Sequence, residues 1–186
     1  MKAASQPLTK IKSDGGGGNG LVLQPTSGKY SNVVLWLHGL GDTADGWASL
    51  MPALDIPDTK FILPTASSIP ISVNNGIAMP GWSDIYKLHH DSDEDKKGMT
   101  KSFERIKNLI NAEIDKNQIS PSRIVVAGFS QGGALALHTS LRSTYTLGGC
   151  IALSTWLPFR QEYPAAISSS ATNLKILQVS RTSYLQ

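Results

Sequence analysis

Along the chain, short apolar runs alternate with longer segments of mixed polarity. The runs at residues 21–24, 32–37, 60–63, 123–127, 148–153 and 173–179 are rich in Val, Ile and Leu and have the length of strands. Between them lie stretches with helical spacing. The clearest covers residues 98–117, where Met99, Phe103, Ile106, Ile110 and Ile114 step by 4, 3, 4 and 4. That spacing lays them on one stripe of a helix. A second helix-like run follows residue 132, rich in Ala and Leu. Nearly continuous apolar strands alternating with helices predict an α/β fold, a mostly parallel central sheet with helices on both faces.

Residues 1–20 stand outside this pattern. They are polar and include four consecutive glycines at 15–18. The expectation is a flexible tail, with the folded domain beginning near Leu21. The rest of the 186 residues makes one domain with a sizeable core. A net charge of +3 with no block of Lys and Arg argues against nucleic acid as a partner. The acidic cluster around Asp91, Asp93, Glu94 and Asp95 reads as a solvated loop. One cysteine, Cys150, gives no internal disulfide framework and fits a reducing compartment. The first residues lack the apolar segment of a secretory signal, and the apolar run 33–37 is too short for a bilayer. These features predict a cytoplasmic protein.

The candidate chemistry is concentrated in two loops. Gly128-Phe129-Ser130-Gln131-Gly132 sits between a predicted strand and a predicted helix. Strand, Gly-x-Ser-x-Gly, helix is the arrangement that exposes a serine nucleophile at a sharp turn, beside the positive end of a helix. The pentapeptide alone is a weak signal, and a plain glycine-bearing turn is its simpler reading. The second loop, His38-Gly39-Leu40-Gly41-Asp42-Thr43, follows an early strand. A serine hydrolase needs one oxyanion-binding N–H from the residue after the nucleophile and another from such an early loop. Gln131 and Leu40 occupy those positions. The simpler readings of this loop are a phosphate-binding turn or a helix cap by Asp42 or Thr43. It has neither G-x-G-x-x-G spacing nor a Walker lysine, which weighs against phosphate.

These two loops, the segment from Asn75 to Ile85 that contains Pro80-Gly81-Trp82-Ser83-Asp84, and Ala152-Leu153-Ser154-Thr155-Trp156-Leu157-Pro158 occur in the order in which the acyl-protein thioesterase family carries them. Over residues 21–178 the chain resembles this family of lysophospholipase-like carboxylesterases with the α/β-hydrolase fold. The resemblance implies cleavage of thioesters or esters of long acyl chains, palmitoylated proteins and lysolipids included, without cofactor or metal. It implies Ser130 as nucleophile with the Leu40 and Gln131 N–H groups as oxyanion donors. Ile77, Met79, Trp82, Trp156 and Leu157 are candidates for an apolar acyl groove, with core packing as the alternative for the tryptophans. Peripheral contact with a membrane surface fits such substrates.

The resemblance ends at residues 179–186, which depart from the family pattern. In the family, the triad aspartate follows the strand resembling 173–179 and the triad histidine comes later, before a final helix. Here no aspartate follows Ser130, and Glu162 and His138 are the one glutamate and one histidine that do. A histidine eight residues along the same helix rises about 12 Å from Ser130, out of general-base reach. His38 reads as a structural hydrogen-bonding residue, and His89 and His90 as surface residues that are the least remote surrogates. Asp42 and Asp84 read as cap or loop groups. The expectation is a truncated hydrolase fold lacking its last strand and helix, with an exposed sheet edge through which chains could dimerise. The alternatives are an inactive acyl-chain or protein-binding module, or an unstable truncated isoform.

Overall fold

The computed structural model describes residues 6–16, 18–87 and 93–180. Seven strands form the central sheet: β1 (Leu8–Ile11), β2 (Gly20–Pro25), β3 (Asn32–Leu37), β4 (Thr59–Pro64), then, past a separate hairpin of β5 (Ser68–Ile71) and β6 (Ile77–Pro80), β7 (Ile124–Phe129), β8 (Gly149–Leu153) and β9 (Ile176–Val179). Their order across the sheet is β1-β2-β4-β3-β7-β8-β9. From β4 to β9 all pairs are parallel, while β2 runs antiparallel to both β1 and β4. Three α-helices accompany the sheet: α1 (Ala44–Ala48), α2 (Lys96–Asp115) and α3 (Gln131–Leu141). The mostly parallel sheet with helices on both faces is what the apolar pattern predicts, and it fits the α/β-hydrolase fold that the resemblance implies.

Strand alternation divides the interior into two cores. Val22, Val33, Leu35, Leu37, Ile62 and Val126 point to the face covered by α2 and α3. Leu21, Leu23, Trp36, Phe61, Leu63 and Ala127 point to the face where α1 lies. On α2, Met99, Ile106 and Ile110 are buried, and Phe103 and Ile114 pack at the margin, as their spacing predicts. Asp95 caps this helix, its carboxylate accepting the Gly98 N–H at 2.9 Å. Every residue of α3 is buried. No helix among the described residues is long and apolar enough to cross a membrane.

Among the described residues 6–16 and 18–20, the structure corrects the expected N-terminal tail. Residues 8–11 form edge strand β1, in register with β2 from Leu8 against Pro25 to Ile11 against Val22. Beyond it, Gly16 and Gly18 are tied to a buried carboxylate. Asp14, 1% exposed, accepts the N–H groups of Gly16 and Gly18, each at 2.8 Å. Its other oxygen receives the Arg105 guanidinium at 2.7 Å. Burial alone pushes the Asp14 carboxyl up, but Arg105 and the two N–H groups outweigh it and hold the group below the usual carboxylate range. The glycines permit this conformation. At Gly20, with φ of 154°, an added Cβ would lie 2.4 Å from the Leu63 carbonyl oxygen. The decisive partner, Arg105, lies 91 residues from Asp14, so local composition could not reveal it.

Candidate active site

Strand β7 is central, bonded to β3 and β8, and it delivers Ser130 to the start of α3. Ser130 has φ 52° and ψ −121°, a conformation that L-residues rarely occupy. Its surroundings enforce this. The Ser130 N–H donates to the Leu153 carbonyl at 2.8 Å. The Ser130 carbonyl accepts the Ala134 N–H at 3.0 Å and the Thr155 hydroxyl at 2.7 Å. The two glycines of the motif are required by close approach. A Cβ on Gly128 would meet the Gly132 carbonyl at 2.4 Å, and one on Gly132 would meet the Leu37 oxygen at 2.1 Å. The serine is half-buried and caps an 11-residue helix, whose free N–H groups point toward negative charge arising there.

The 38–43 loop packs directly on this elbow. A Cβ on Gly39 would lie 3.5 Å from the Ser130 Cβ and 3.2 Å from the Phe129 ring. Asp42 holds the loop by accepting the Thr43 N–H at 2.7 Å and the Trp47 indole N–H at 2.9 Å. The Gly41 N–H donates to Pro80 O at 2.8 Å, which ties the loop to β6. Leu40 is half-buried, its side chain near Gly81.

The Gln131 side chain has a structural task. It is fully buried, its Oε1 accepts the Trp82 N–H at 3.0 Å, and its Nε2 donates to Ser83 O at 2.7 Å. The residue after Ser130 therefore pins the segment that follows β6. Trp82 completes the tie by donating its indole N–H to His38 O at 2.9 Å, and the Arg105 guanidinium stacks 5.9 Å from its ring centre. Sequence reasoning missed the Gln131 side chain, Thr155 and Arg105. A polar residue ahead of the apolar run Ala134–Leu137 was the available signal for Gln131.

The acyl-groove candidates separate into two groups. Trp82 is 2% exposed and belongs to the core, so it does not line an open surface. The indole buries because each of its polar contacts is met internally. Ile77 and Trp156 are exposed, at 61% and 40%. Met79 is half-buried with its sulfur against Gly41. Leu157 is half-buried at the margin of the α2–α3 core.

No described side chain stands ready as a general base beside Ser130. His38 has both ring nitrogens committed: Nδ1–H donates to Gly39 O at 2.7 Å, and Nε2 accepts the Ala66 N–H at 2.9 Å. Burial lowers its pKa, which keeps it neutral in this structural role. His138 is enclosed between the rings of Phe103 and Phe159, each centred 5.5 Å away. Burial first, then the Arg142 charge, pushes it down to about 4. Glu162 bonds Arg142 at 2.6 Å and Lys96 at 2.9 Å, so it is a structural acid. Asp84 accepts the Ser72 N–H at 2.7 Å, a loop bond. His89 and His90 lie outside the described residues.

Comparison with known proteins places this geometry. Residues 19–182 match the model of the phospholipase/carboxylesterase family. The chain is 42% identical over 158 residues to acyl-protein thioesterase 1 of Gibberella zeae, covering 80% of this chain and 67% of that protein. It is 39% identical over 152 residues to acyl-protein thioesterase 1 of Cryptococcus neoformans var. neoformans, covering 79% and 63%. Among solved structures, acyl-protein thioesterase 2 of Zea mays superposes with a TM-score of 0.77 at 30% identity, over 88% of this chain and 75% of that one. SOBER1 of Arabidopsis thaliana gives 0.74 at 29%, over 79% and 72%. The chain thus spans about two thirds of the length of the curated relatives it matches. With the strained serine between its two glycines and the glycine loop against it, these matches establish that the chain belongs to the phospholipase/carboxylesterase family.

Proposed function

We propose that this chain carries the nucleophile and oxyanion half of a serine thioesterase and carboxylesterase acting on long-chain acyl groups. The observation that supports it most directly is Ser130 itself, held at φ 52° with Gly39 against its side chain. In this reading the Ser130 hydroxyl attacks the acyl carbonyl. The Leu40 and Gln131 N–H groups receive the resulting oxyanion, and the thiol or alcohol departs to leave an acyl-serine that water cleaves. Ile77, Met79, Trp156 and Leu157 line the acyl path. The relatives' name, acyl-protein thioesterase, supports acylated proteins as substrates. Lysolipid esters, a cytoplasmic setting and peripheral membrane contact belong to the same proposal. The exposed β9 edge supports pairing with a second chain.

The absence of a general base among the described residues favours a second reading, an acyl-binding module with little turnover. Loss of the histidine from a serine triad costs roughly 10⁴–10⁶ in rate and leaves some oxyanion-hole catalysis. A fluorophosphonate probe with a palmitoyl thioester assay separates the two. Labelling that Ser130→Ala abolishes, with thioester turnover, supports the hydrolase. A folded chain that binds a fluorescent fatty acid but neither labels nor turns over supports the module. Acyl binding unchanged in Met79→Asp/Leu157→Asp removes the groove from either.

A further inference from the structure

A cavity of about 300 Å³ opens between α2 and the C-terminal end of α3, the opposite end of that helix from Ser130. It is about twice the ~150 Å³ space that takes benzene. Phe103, Ile110 and Tyr145 give it flat and branched apolar walls, and both of its charged lining residues, Lys107 and Arg142, are cations. Thr139 lines it too. It is 1% exposed, and its hydroxyl has no hydrogen-bond partner among the described residues. The buried Nε of Arg142 is likewise without one. Buried polar groups are normally satisfied, so unpartnered ones beside a cavity call for a ligand or water.

Each lining cation already has an acid, but keeps donor capacity. Glu104 pairs with Lys107 at 3.2 Å on the open surface, and Glu162 engages Arg142 through its terminal nitrogen, leaving Nε free. The C-terminus of α3 adds partial negative charge, so an anion would be held by direct bonds to Lys107, Thr139 and Arg142 rather than by a net positive field.

We propose that this cavity binds a small organic anion with an aromatic or branched apolar body. The body rests against Phe103, Ile110 and Tyr145, and the anionic oxygens take the Thr139 hydroxyl, Arg142 and Lys107. The site is separate from the acyl chemistry and stands whether or not Ser130 turns over.

Calorimetric and NMR titration of the full chain with four probes tests this. Benzoate and phenyl phosphate carry the expected body with an anionic head. Inorganic phosphate lacks the body, and benzamidine has the body with the opposite charge. Saturable binding of benzoate or phenyl phosphate, at least about tenfold tighter than phosphate and benzamidine, is expected. Thr139→Val keeps the shape and removes the hydroxyl. It should weaken that binding about five- to tenfold, without lowering the melting temperature of the free protein. Ile110→Trp should fill the space and abolish binding. Equal affinity for benzamidine, an unchanged Kd in Thr139→Val, or no saturable binding of either organic anion up to about 10 mM would overturn the proposal.

Discussion

On one side of the sheet, α2 and α3 bring 20 and 11 residues across the strands. Leu35 and Leu37 of β3, Ile106 of α2 and Leu135 of α3 are wholly buried between them. On the other side lies α1, with five residues, near β2 and β4. Further along that second face, register aligns Ile151 with Leu177, and Phe129, Leu153 and Val179 with one another. There Leu177 is 56% exposed, Val179 53% and Phe129 38%. Both faces carry apolar residues, and at the edge strand β9 both are open, with Ile176 on the first face 43% exposed; elsewhere the two faces part. What differs is whether a helix with a matching apolar stripe lies above them. The serine's geometry draws on the covered side, since the helix that begins at Ser130 is buried there throughout.

The comparison predicts a steep gradient in mutational cost. Ile106→Ala, under α2, should cost about 4 kcal/mol of unfolding free energy in urea, within the usual range for a buried aliphatic truncation. A cost under about 1 kcal/mol would mean the covered face is not the tightly packed one. Gly132→Ala forces a methyl onto the Leu37 and His38 carbonyl oxygens. Because backbone cannot yield cheaply, about 3 kcal/mol should be lost, with Ser130 labelling impaired even where the chain still folds.

The covered face should also be the pH-sensitive one. His138 is held neutral with a pKa near 4 in the fold, against about 6.5 when unfolded. The unfolded chain therefore binds the proton first. The contribution is complete above about pH 6.5, falls away between there and pH 4, and totals up to about 3 kcal/mol. His138→Leu should flatten that part of the stability-against-pH curve, and an unaltered slope would assign it to other groups. Smallest of all should be Leu153→Ala on the open face, about 1 kcal/mol or less. If it matched Ile106→Ala, something would have to cover that face in solution.

Much of this was legible in the sequence, for reasons specific to each element. The six apolar runs became β2, β3, β4, β7, β8 and β9 because each is apolar enough to be read without its neighbours. The 3–4 spacing of Met99 to Ile114 likewise reported a helix whose face was already decided. The short β1 was hidden: Leu8–Ile11 exposes three of its four residues, and its strand character depends on β2 beside it. The same reason explains Asp14, whose burial rests on Arg105. At the site, Ser130 and its glycine loop could be read because backbone geometry demands glycine at fixed positions. The burial of Trp82 could not, because the carbonyl of His38 and the amide of Gln131 make it possible from 44 and 49 residues away.

That last tie sets an order of events on the ribosome. Trp82 and Ser83 leave the exit tunnel well before Gln131, which is 49 residues behind Trp82, a delay of roughly 2–10 s at ordinary elongation rates. Throughout that interval the β5–β6 hairpin lacks its buried amide clasp. The nascent chain must keep a large indole exposed, with the Trp82 N–H and the Ser83 carbonyl bonded to water, until the serine turn is made. The elbow is thus the fastener for a segment made 49 residues earlier.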